Sequence, residues 1–329
     1  MRPSQPVGED RPAGSNHPQV RRYLHLKRRP GGDQSAAVTL EGTSLLERAL
    51  AAGVRVECVF TCPALLRGEQ ARRVRREVDA LGVPALVVSE RLFRRMVDRD
   101  GPDGVAALAL LPAYTFEDVR LHNSARVVVT VGVELPGNLG TLVRCADASG
   151  SSAVVSIAGV RRTHPLVARS SMGTLFSVPM VETTTDIAIE WLRRHSFRLI
   201  AADPGATTPY READYRGRVA VVLGAERAGL TSKWKAVADE VVAIPMRGIA
   251  DSVNVAIAGA ILLYEALAHA VIRSNRRRAT DVPPNRLSAR AVRPGSAVGF
   301  DVLRDRRNRC SGRPQDVHSP RCPPTPESP

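Results

Sequence analysis

Residues 125–147 read ARVVVTVGVELPGNLGTLVRCAD, an apolar run followed by a glycine-containing turn and then by a helical pattern. The run is apolar on both faces, which is typical of a strand in a parallel sheet that is covered on both sides. After the turn, apolar residues recur at i, i+3, i+4 and i+7, the spacing of one buried helix face: Leu139, Leu142, Val143 and Ala146. The stretch therefore predicts a strand, a turn and a helix, the repeating unit of an α/β fold.

The same rhythm extends in both directions and divides the 329-residue chain into segments. Two blocks carry it, separated by a short stretch in which periodicity lapses and a proline intervenes. Both ends are rich in Pro, Arg and polar residues without periodicity, which predicts disorder. The expected segments are a leader at 1–16, a small α/β domain at 17–112, a linker at 113–123, a parallel-sheet α/β domain at 124–273 and a basic Pro/Arg-rich tail at 274–329.

Within the two blocks, apolar runs of strand length alternate with helical patterns. In the first block we expect helices at 42–53 and 69–82 and strands at 54–60, 83–89 and 104–111. In the second block we expect strands at 125–132, 152–159, 176–182, 197–203, 218–224 and 240–246, and a long buried helix that begins near Ser252. Aromatic residues make up only 4% of the chain, so Val, Ala, Leu and Ile must fill the core.

The chain is strongly basic, with 47 Lys and Arg against 33 Asp and Glu and a formal net charge of +14. Such a surplus favours a polyanionic partner, because each phosphate that the protein neutralises releases counterions. The alternative is a composition that uses Arg freely and leaves basic tails without a specific partner.

Five scattered cysteines fit neither a disulfide framework nor a zinc site, so no metal is expected: Cys58, Cys62, Cys145, Cys310 and Cys322. We interpret them as unpaired thiols in a reducing compartment. The N-terminus has no apolar signal segment, and the most apolar later segment, 255–264, is too short to span a bilayer. The expected location is the cytoplasm.

The glycine turn at 132–140 does not match the common nucleotide sites. Its glycines are spaced G-x4-G-x2-G, whereas a dinucleotide fingerprint needs G-x-G-x-x-G and a Walker loop needs a following Gly-Lys-Ser/Thr. Asn138 and Arg144 fall off the buried helix stripe, so both can face a cleft at the carboxyl end of the strand, where open α/β sheets bind ligands. The alternative is an N-cap Asn and a surface Arg.

Two further strand ends carry polar residues of the same kind. They lie in VVLGAERAGL at 221–230 and IPMRGIADSVNVAIAGAILLYEAL at 244–267. Together the three strand ends present a polar set that apolar packing does not explain: Asn138, Arg144, Glu226, Ser252 and Asn254.

These motifs, in this order and spacing, resemble the three motifs of the TrmH (SpoU) family, RNA ribose 2′-O-methyltransferases of the SPOUT superfamily that use S-adenosylmethionine. The first motif corresponds to Glu134-x3-Asn138-x-Gly140-x3-Arg144, and SMGTLFSVP at 171–179 also looks like a family segment. The resemblance covers about 124–270. The sequence departs from the family pattern at Val253, where Leu is usual, and at Ala256, where Ser is common.

The resemblance implies a parallel sheet with a C-terminal deep trefoil knot, and a homodimer formed through the knotted domain. It implies that S-adenosylmethionine lies in the knot loops against Leu223, Gly224, Ile244, Met246 and Val253. Arg144 would activate the ribose hydroxyl, either as a base or as a clamp on the adjacent phosphate and developing alkoxide. Asn138, Ser252, Asn254 and Glu226 would orient the reactants, and the glycines at 137 and 140 would leave room for an RNA strand.

The first block is similar to the small RNA-binding substrate domain, like a ribosomal RNA-binding protein, that precedes the catalytic domain in many family members. That similarity favours rRNA, most of all 23S rRNA, over tRNA as the substrate. We expect a basic cluster at the start of the block to bind RNA, the alternative being a solvated run of charge: Arg21, Arg22, Lys27, Arg28 and Arg29. Three other functions stay open: a tRNA 2′-O-methyltransferase, an enzyme that methylates a base nitrogen, and a non-catalytic RNA-binding or ribosome-assembly protein.

Overall fold

A computed structural model describes residues 12–29, 36–66, 68–80 and 82–280. The first part forms a four-stranded sheet in the order β1-β4-β2-β3, in which β4 runs antiparallel to both neighbours and β2 pairs with β3 in parallel. Its elements are α1 (Pro18–Arg28), β1 (Ala37–Glu41), α2 (Thr43–Ala51), β2 (Arg55–Thr61), α3 (Gly68–Ala80), β3 (Ala85–Val87), α4 (Glu90–Met96) and β4 (Val105–Leu110).

The second part forms a seven-stranded sheet in the order β7-β6-β5-β10-β8-β11-β9, in which every neighbouring pair is parallel. This confirms the α/β class with a parallel sheet. Its elements are β5 (Arg126–Val131), α5 (Pro136–Ala148), β6 (Ala153–Ile157), α6 (Pro165–Ser170), β7 (Met180–Thr183), α7 (Thr185–Arg194), β8 (Phe197–Ala202), β9 (Thr208–Pro209), β10 (Arg218–Leu223), α8 (Ser232–Val237), β11 (Glu240–Ala243) and α9 (Val255–Thr280).

Both faces of the larger sheet are buried, as its uniformly apolar strands require. In β5 the side chains alternate, with Val127 and Val129 in one apolar cluster and Val128 in the other. The predicted stripe on α5 is buried throughout: Leu139, Leu142, Val143 and Ala146. The periodicity of the sequence therefore identified the faces of this sheet and of its first helix correctly.

Several elements were missed or displaced. The sequence analysis did not predict α1, β1, α4 or β9, and it placed strand β7 at 176–182 instead of 180–183. In α1 the buried apolar stripe is only three residues long, Val20, Tyr23 and Leu26, and five of the eleven residues of the helix are Arg, Lys or His. A proline at the start of this helix and the i, i+3 spacing were the available indications.

The predicted segment boundaries agree only in part with the observed secondary structure. Residues 1–11 of the expected leader and 281–329 of the expected tail lie outside the described residues. Helix α9 continues to Thr280, past the expected boundary at 273, and it begins at Val255 and not at Ser252. The expected linker is packed, since Phe116 stacks on Trp191 with ring centroids 4.5 Å apart and the Tyr114 hydroxyl donates to the Phe176 carbonyl.

Gly140 brings α5 against α6 in direct backbone contact. A Cβ on Gly140 would lie 2.6 Å from the Val167 carbonyl oxygen and 2.7 Å from Ser170 Cβ, so no side chain fits there. The expectation that this glycine leaves room for an RNA strand is therefore wrong. Its space is filled by the end of α6.

The other end of α5 is capped by a buried arginine. Arg126 Nη2 donates to the Ser149 carbonyl at 3.0 Å, where the last carbonyls of a helix carry partial negative charge. Burial lowers the pKa of this guanidinium from its ordinary value. Because α5 carries Asn138 and Arg144, this cap also fixes the helix that bears two of the candidate site residues.

Among the described residues no helix is long and apolar enough to cross a membrane.

Asp214 ties the segment before β10 to the sheet. Its carboxylate accepts a hydrogen bond from Arg216 Nε at 2.6 Å and lies 3.1 Å from Arg198 Nη2 of β8. The hydrogen bonds from Arg216 outweigh desolvation and lower the pKa of Asp214 from 3.8 to about 2. A depressed pKa in the folded state stabilises the fold above pH 3.8, and this contribution is lost as the pH falls toward 2.

We therefore expect Asp214→Asn to lower the free energy of unfolding by about 1 kcal/mol at pH 7, a modest value because Arg216 is largely exposed to solvent. The difference from wild type should shrink as the pH falls from 4 toward 3, measured by urea unfolding across that range. Asp186→Asn is the control, because Asp186 also forms a salt bridge, with Lys233, but its side chain is 80% exposed. If the difference in free energy of unfolding between Asp214→Asn and wild type did not change with pH, the contribution of the ionised Asp214 carboxylate to stability would be contradicted.

Candidate active site

Three strand ends meet at one edge of the larger sheet. In the parallel pairing of β5 and β10, Thr130 lies beside Leu223, so the loops that follow both strands start side by side. The loop after β11 joins them from the far side of β8. Together they line a cleft of about 500 Å³ at the carboxyl ends of the strands, where open α/β sheets bind their ligands.

The carboxylate of Glu226 lies at the centre of the polar contacts. It accepts hydrogen bonds from the backbone amides of Glu134 at 3.0 Å and Leu135 at 3.3 Å. It also accepts one from Asn138 Nδ2 at 2.8 Å. These donors belong to the loop after β5 and to the first turn of α5, so Glu226 ties that loop and that helix to the end of β10.

Glu226 is ionised at neutral pH. Partial burial raises the pKa of its carboxyl, but the hydrogen bonds from Glu134, Asn138 and Leu135 together outweigh burial and leave the pKa below its ordinary 4.5. An ionised carboxylate only accepts hydrogen bonds, so Asn138 must turn its NH₂ group toward Glu226 and its carbonyl oxygen away.

The hydrogen-bond chain continues from Asn138 to α9. Asn254 Nδ2 donates to Asn138 Oδ1 at 3.0 Å, and Asn254 Oδ1 accepts from the Ala256 amide at 2.8 Å. Asn254 therefore occupies the N-cap position of α9 while its NH₂ group reaches the site. Ser252 lines the same cleft, two residues before this cap.

The structure thus brings together four of the five predicted polar residues and separates the fifth. Asn138, Glu226, Ser252 and Asn254 all line the cleft. Arg144 is exposed in the middle of α5, outside the cleft lining, and within the described residues it forms no hydrogen bond or ion pair. The alternative was an N-cap Asn and a surface Arg. Its first half is wrong, because Leu135 caps α5 and Pro136 precedes Asn138 in the first turn, whereas Arg144 does lie on the surface.

The five residues expected to hold the cofactor all line the cleft: Leu223, Gly224, Ile244, Met246 and Val253. At Gly224 a Cβ would lie 2.3 Å from the Gly229 carbonyl carbon, so only glycine lets the turn after β10 close there. Gly248, in contrast, has no atom within 4 Å of a Cβ position.

Sequence reasoning missed two acidic residues of the cleft. Asp203 and Asp251 line it together with Glu226. Asp203 directly follows β8, and hydrogen bonds from Lys235 and the Gly205 amide lower its pKa. Its place at a strand end, like that of Glu226, was the indication in the sequence. The cleft therefore combines apolar walls with three carboxylates and one arginine, Arg227, and of the carboxylates Asp203 is paired with Lys235. The lining keeps a net negative charge, which suits a ligand with an apolar body and positive charge.

The expected RNA-binding cluster divides into two groups on α1. Arg22 pairs with Glu57 and Lys27 pairs with Asp98, each at 2.7 Å. Arg21, Arg28 and Arg29 are exposed and form no ion pair with any described residue. Only this second group has its charge available to a partner.

Metal-ligating clusters of three or more His, Cys, Asp or Glu are absent from the part of the chain that the structure describes. Cys58, Cys62 and Cys145 are free thiols, and Cys310 and Cys322 lie outside the described residues. Burial raises the pKa of the Cys58 thiol to about 12, so this residue is not a thiolate at neutral pH.

The fold and the cleft define an α/β protein whose candidate ligand site is built from backbone loops and from a hydrogen-bonded chain of amide and carboxylate side chains. Comparison with known proteins gives the family. Residues 125–264 match the SpoU rRNA Methylase family, and residues 17–107 match the MRM3-like substrate binding domain. The chain belongs to the SpoU rRNA methylase family.

Three relatives show how far the similarity extends. An uncharacterized tRNA/rRNA methyltransferase of Synechocystis sp. is 31% identical over 77% of this chain and 91% of its own length. The 23S rRNA (guanosine(2553)-2′-O)-methyltransferase RlmP of Bacillus subtilis is 27% identical over 68% and 86%. The crystal structure of an AdoMet-bound rRNA methyltransferase from Sinorhizobium meliloti, 28% identical, covers 78% of this chain and 97% of its own, with a TM-score of 0.70.

We expect Glu226→Gln to destabilise the protein by about 2 kcal/mol, because hydrogen bonds to a charged group contribute about 1.5–3 kcal/mol each and glutamine retains only one acceptor oxygen. Equilibrium unfolding in urea at pH 7 measures the change. Glu134→Gln is the matched control, since this neighbouring glutamate has an exposed side chain and only its backbone contacts Glu226. Equal stability of the two variants would contradict the central role of Glu226.

Proposed function

We propose that this protein transfers a methyl group from S-adenosylmethionine to a ribose 2′-hydroxyl of 23S rRNA. The observation that carries the proposal is the hydrogen-bond chain from Glu226 through Asn138 to Asn254 at the edge of a cleft that holds all five expected cofactor residues. Family membership supports the reaction, and the 23S rRNA relative supports the substrate. A tRNA substrate is the second candidate.

The chemistry of the cleft fits the cofactor. S-adenosylmethionine supplies an electrophilic methyl group on a positively charged sulfur. Leu223, Ile244, Met246 and Val253 offer apolar surface for the adenine, and Gly224 keeps a side chain out of the turn that would approach it. Three carboxylates line the cleft against one arginine, Arg227. Asp203 is paired with Lys235, so Glu226 and Asp251 leave the lining with a net negative charge that favours a cation.

The residues of the chain must align the hydroxyl and accept its proton. We assign orientation of the reactants to Asn138, Ser252 and Asn254, since the ionised Glu226 fixes the direction of the Asn138 amide. Arg144 activates the hydroxyl. A guanidinium holds its proton firmly, so its two possible roles are a base whose charge is suppressed during transfer and a clamp on the phosphate and developing alkoxide.

Two larger features belong to the same proposal. Strand β11 is separated from β10 by β8. After β11 the chain returns across the strand ends and brings Asn254 against Asn138, and this path supports a trefoil-knotted SPOUT domain.

On α9, Ile257 and Tyr264 lie seven residues apart on one helix face and are 54% and 50% exposed. An exposed apolar stripe of this kind supports a homodimer through this domain.

The proposed organisation is a substrate-binding domain at 17–112, a linker at 113–123 and a catalytic domain at 124–273. The match of residues 17–107 to a substrate-binding domain supports the first assignment. We place the protein in the cytoplasm, because ribosomal RNA is found there and the described cysteines are free thiols.

Incubation of the protein with methyl-labelled S-adenosylmethionine and total RNA, followed by nuclease mapping, tests the function. We expect label on a ribose of 23S rRNA. Label confined to tRNA would favour the second candidate, and label on a base would exclude ribose methylation. Absence of label from protein shown to bind the cofactor would favour a non-catalytic RNA-binding role.

We expect Arg144→Ala to lower kcat about 10²–10⁴-fold, the range for loss of a proton-transfer group. Arg144→Lys separates the two roles. Substantial turnover that rises with pH would favour the base, whereas turnover as low as that of the Ala variant would favour the clamp, which needs the planar guanidinium. Arg169→Ala is the control, because Arg169 is an exposed helical arginine of the same domain. Wild-type turnover of Arg144→Ala would exclude both roles.

For RNA capture, the triple variant Arg21→Gln, Arg28→Gln, Arg29→Gln should weaken RNA binding and flatten its salt dependence. Three lost phosphate contacts would reduce the slope of log K against log salt by about 2. The double variant Arg22→Gln, Lys27→Gln is the control, since both residues already pair with carboxylates. Filter binding from 50 to 300 mM salt measures the slopes, and an unchanged slope in the triple variant would reject α1 as an RNA contact.

A further inference from the structure

The turn that ends α6 has an unusual backbone. Met172 has a φ of 51° and Gly173 a φ of 83°, so two consecutive residues lie in the left-handed region. Residues other than glycine rarely adopt this conformation, because Cβ approaches the following carbonyl oxygen. Met172 is also 43% exposed, so its side chain gains little from burial in return. A strained turn of this kind persists when its surroundings hold it.

One support comes from the four-stranded part of the protein. Arg48 of α2 donates a hydrogen bond from Nη1 to the Met172 carbonyl oxygen. A Cβ on Gly173 would lie 3.1 Å from Arg48 Cδ and 3.2 Å from Arg48 Cβ, so the aliphatic part of the arginine lies directly against the glycine. Arg48 therefore contacts both residues of the left-handed turn.

The opposite side of the same turn faces the helix that carries the candidate catalytic residues. The Ser171 amide lies 3.0 Å from the Cβ position of Gly140, so α5 contacts the turn through its backbone. Arg144 follows Gly140 by four residues and therefore lies on the same face of α5, one turn further along. The turn at 170–173 thus lies between Arg48 and the face of α5 that bears Arg144.

We propose that Arg48 is a positioning residue for methyl transfer. By holding the 170–173 turn it fixes α5, and with it Asn138 and Arg144, relative to the part of the chain that binds the RNA. The inference rests on the proposed methyltransferase function. Arg48 does not line the cofactor cleft. Replacement of Arg48 should therefore lower kcat, because a displacement of about 1 Å at catalytic groups is enough to slow a reaction strongly.

The experiment compares full-length wild type with Arg48→Gln, using a 23S rRNA transcript and S-adenosylmethionine. We expect kcat to fall about tenfold, while the Kd values for cofactor and RNA stay within twofold of wild type. Arg48→Lys should recover at least half of the lost turnover, since it retains an aliphatic stem and a donor. Arg55→Gln is the control, because it removes an exposed arginine of the same domain that has no partner among the described residues.

Amide hydrogen exchange gives a readout that does not depend on activity. In Arg48→Gln, exchange should accelerate in 167–176 and in 136–148, and it should stay at the wild-type rate in the four-stranded sheet. Met172→Gly gives a second variant, because glycine adopts the left-handed conformation without support. In that background Arg48→Gln should lower kcat less than twofold.

The outcomes separate the two proposals. If neither wild type nor any variant transfers a methyl group, the proposed methyltransferase function is contradicted. Faster exchange in α5 of Arg48→Gln would in that case still support the structural link between Arg48 and α5. Wild-type kcat and wild-type exchange in Arg48→Gln would overturn the link. A fall in RNA affinity that accounts for the whole loss of turnover would also overturn it, since Arg48 would then be an RNA contact. If Arg48→Gln fails to fold, Arg48→Lys provides the test. A kcat of Arg48→Lys as low as one tenth of the wild-type value, with hydrogen exchange in α5 unchanged, would overturn the proposed link.

Discussion

The ionised carboxylate of Glu226 is the contact on which the geometry of the site depends. It has no donor of its own, so every group that faces it must donate. Two backbone amides and the Asn138 NH₂ group satisfy that requirement, and they come from the loop after β5 and from the first turn of α5. The direction of the Asn138 amide, and through it the direction of Asn254 at the start of α9, then follows from a single negative charge.

This contact is possible because of the strand order. In sequence, Glu226 lies 88 residues after Asn138. The pairing of β10 directly with β5 places their carboxyl ends side by side, although β6 to β9 are all formed in between. Asn254 needs a further step, since β11 lies beyond β8 and the chain must cross the strand ends to reach Asn138. Two crossovers in a parallel sheet thus bring distant polar residues into one hydrogen-bond chain.

The sequence predicted the larger sheet well because its strands are apolar on both faces and its helices show clear periodicity. It predicted the smaller domain less completely, since the short apolar stripe of α1 is surrounded by cationic residues whose pairing with Glu57 and Asp98 only the fold provides. The motifs identified four polar residues and five expected cofactor residues that line the cleft, but not Asp203, which is a single residue at a strand end. It also misread Gly140, because a glycine needed for helix packing and one needed for ligand approach look alike in sequence.

The separation of Arg144 from Glu226 has a physical reason. Arg144 lies six residues after Asn138, so the helix places it about 9 Å further along the axis and about 240° around it. An arginine next to Asn138 on the same face would reach the Glu226 carboxylate and form a bidentate ion pair, which would hold the guanidinium and neutralise its charge. The carboxylate would then lose acceptor capacity for the amides that it orients. With the two charges apart, one helix carries a fixed amide in the cleft and, six residues later, an exposed cation that has no ion-pair partner among the described residues.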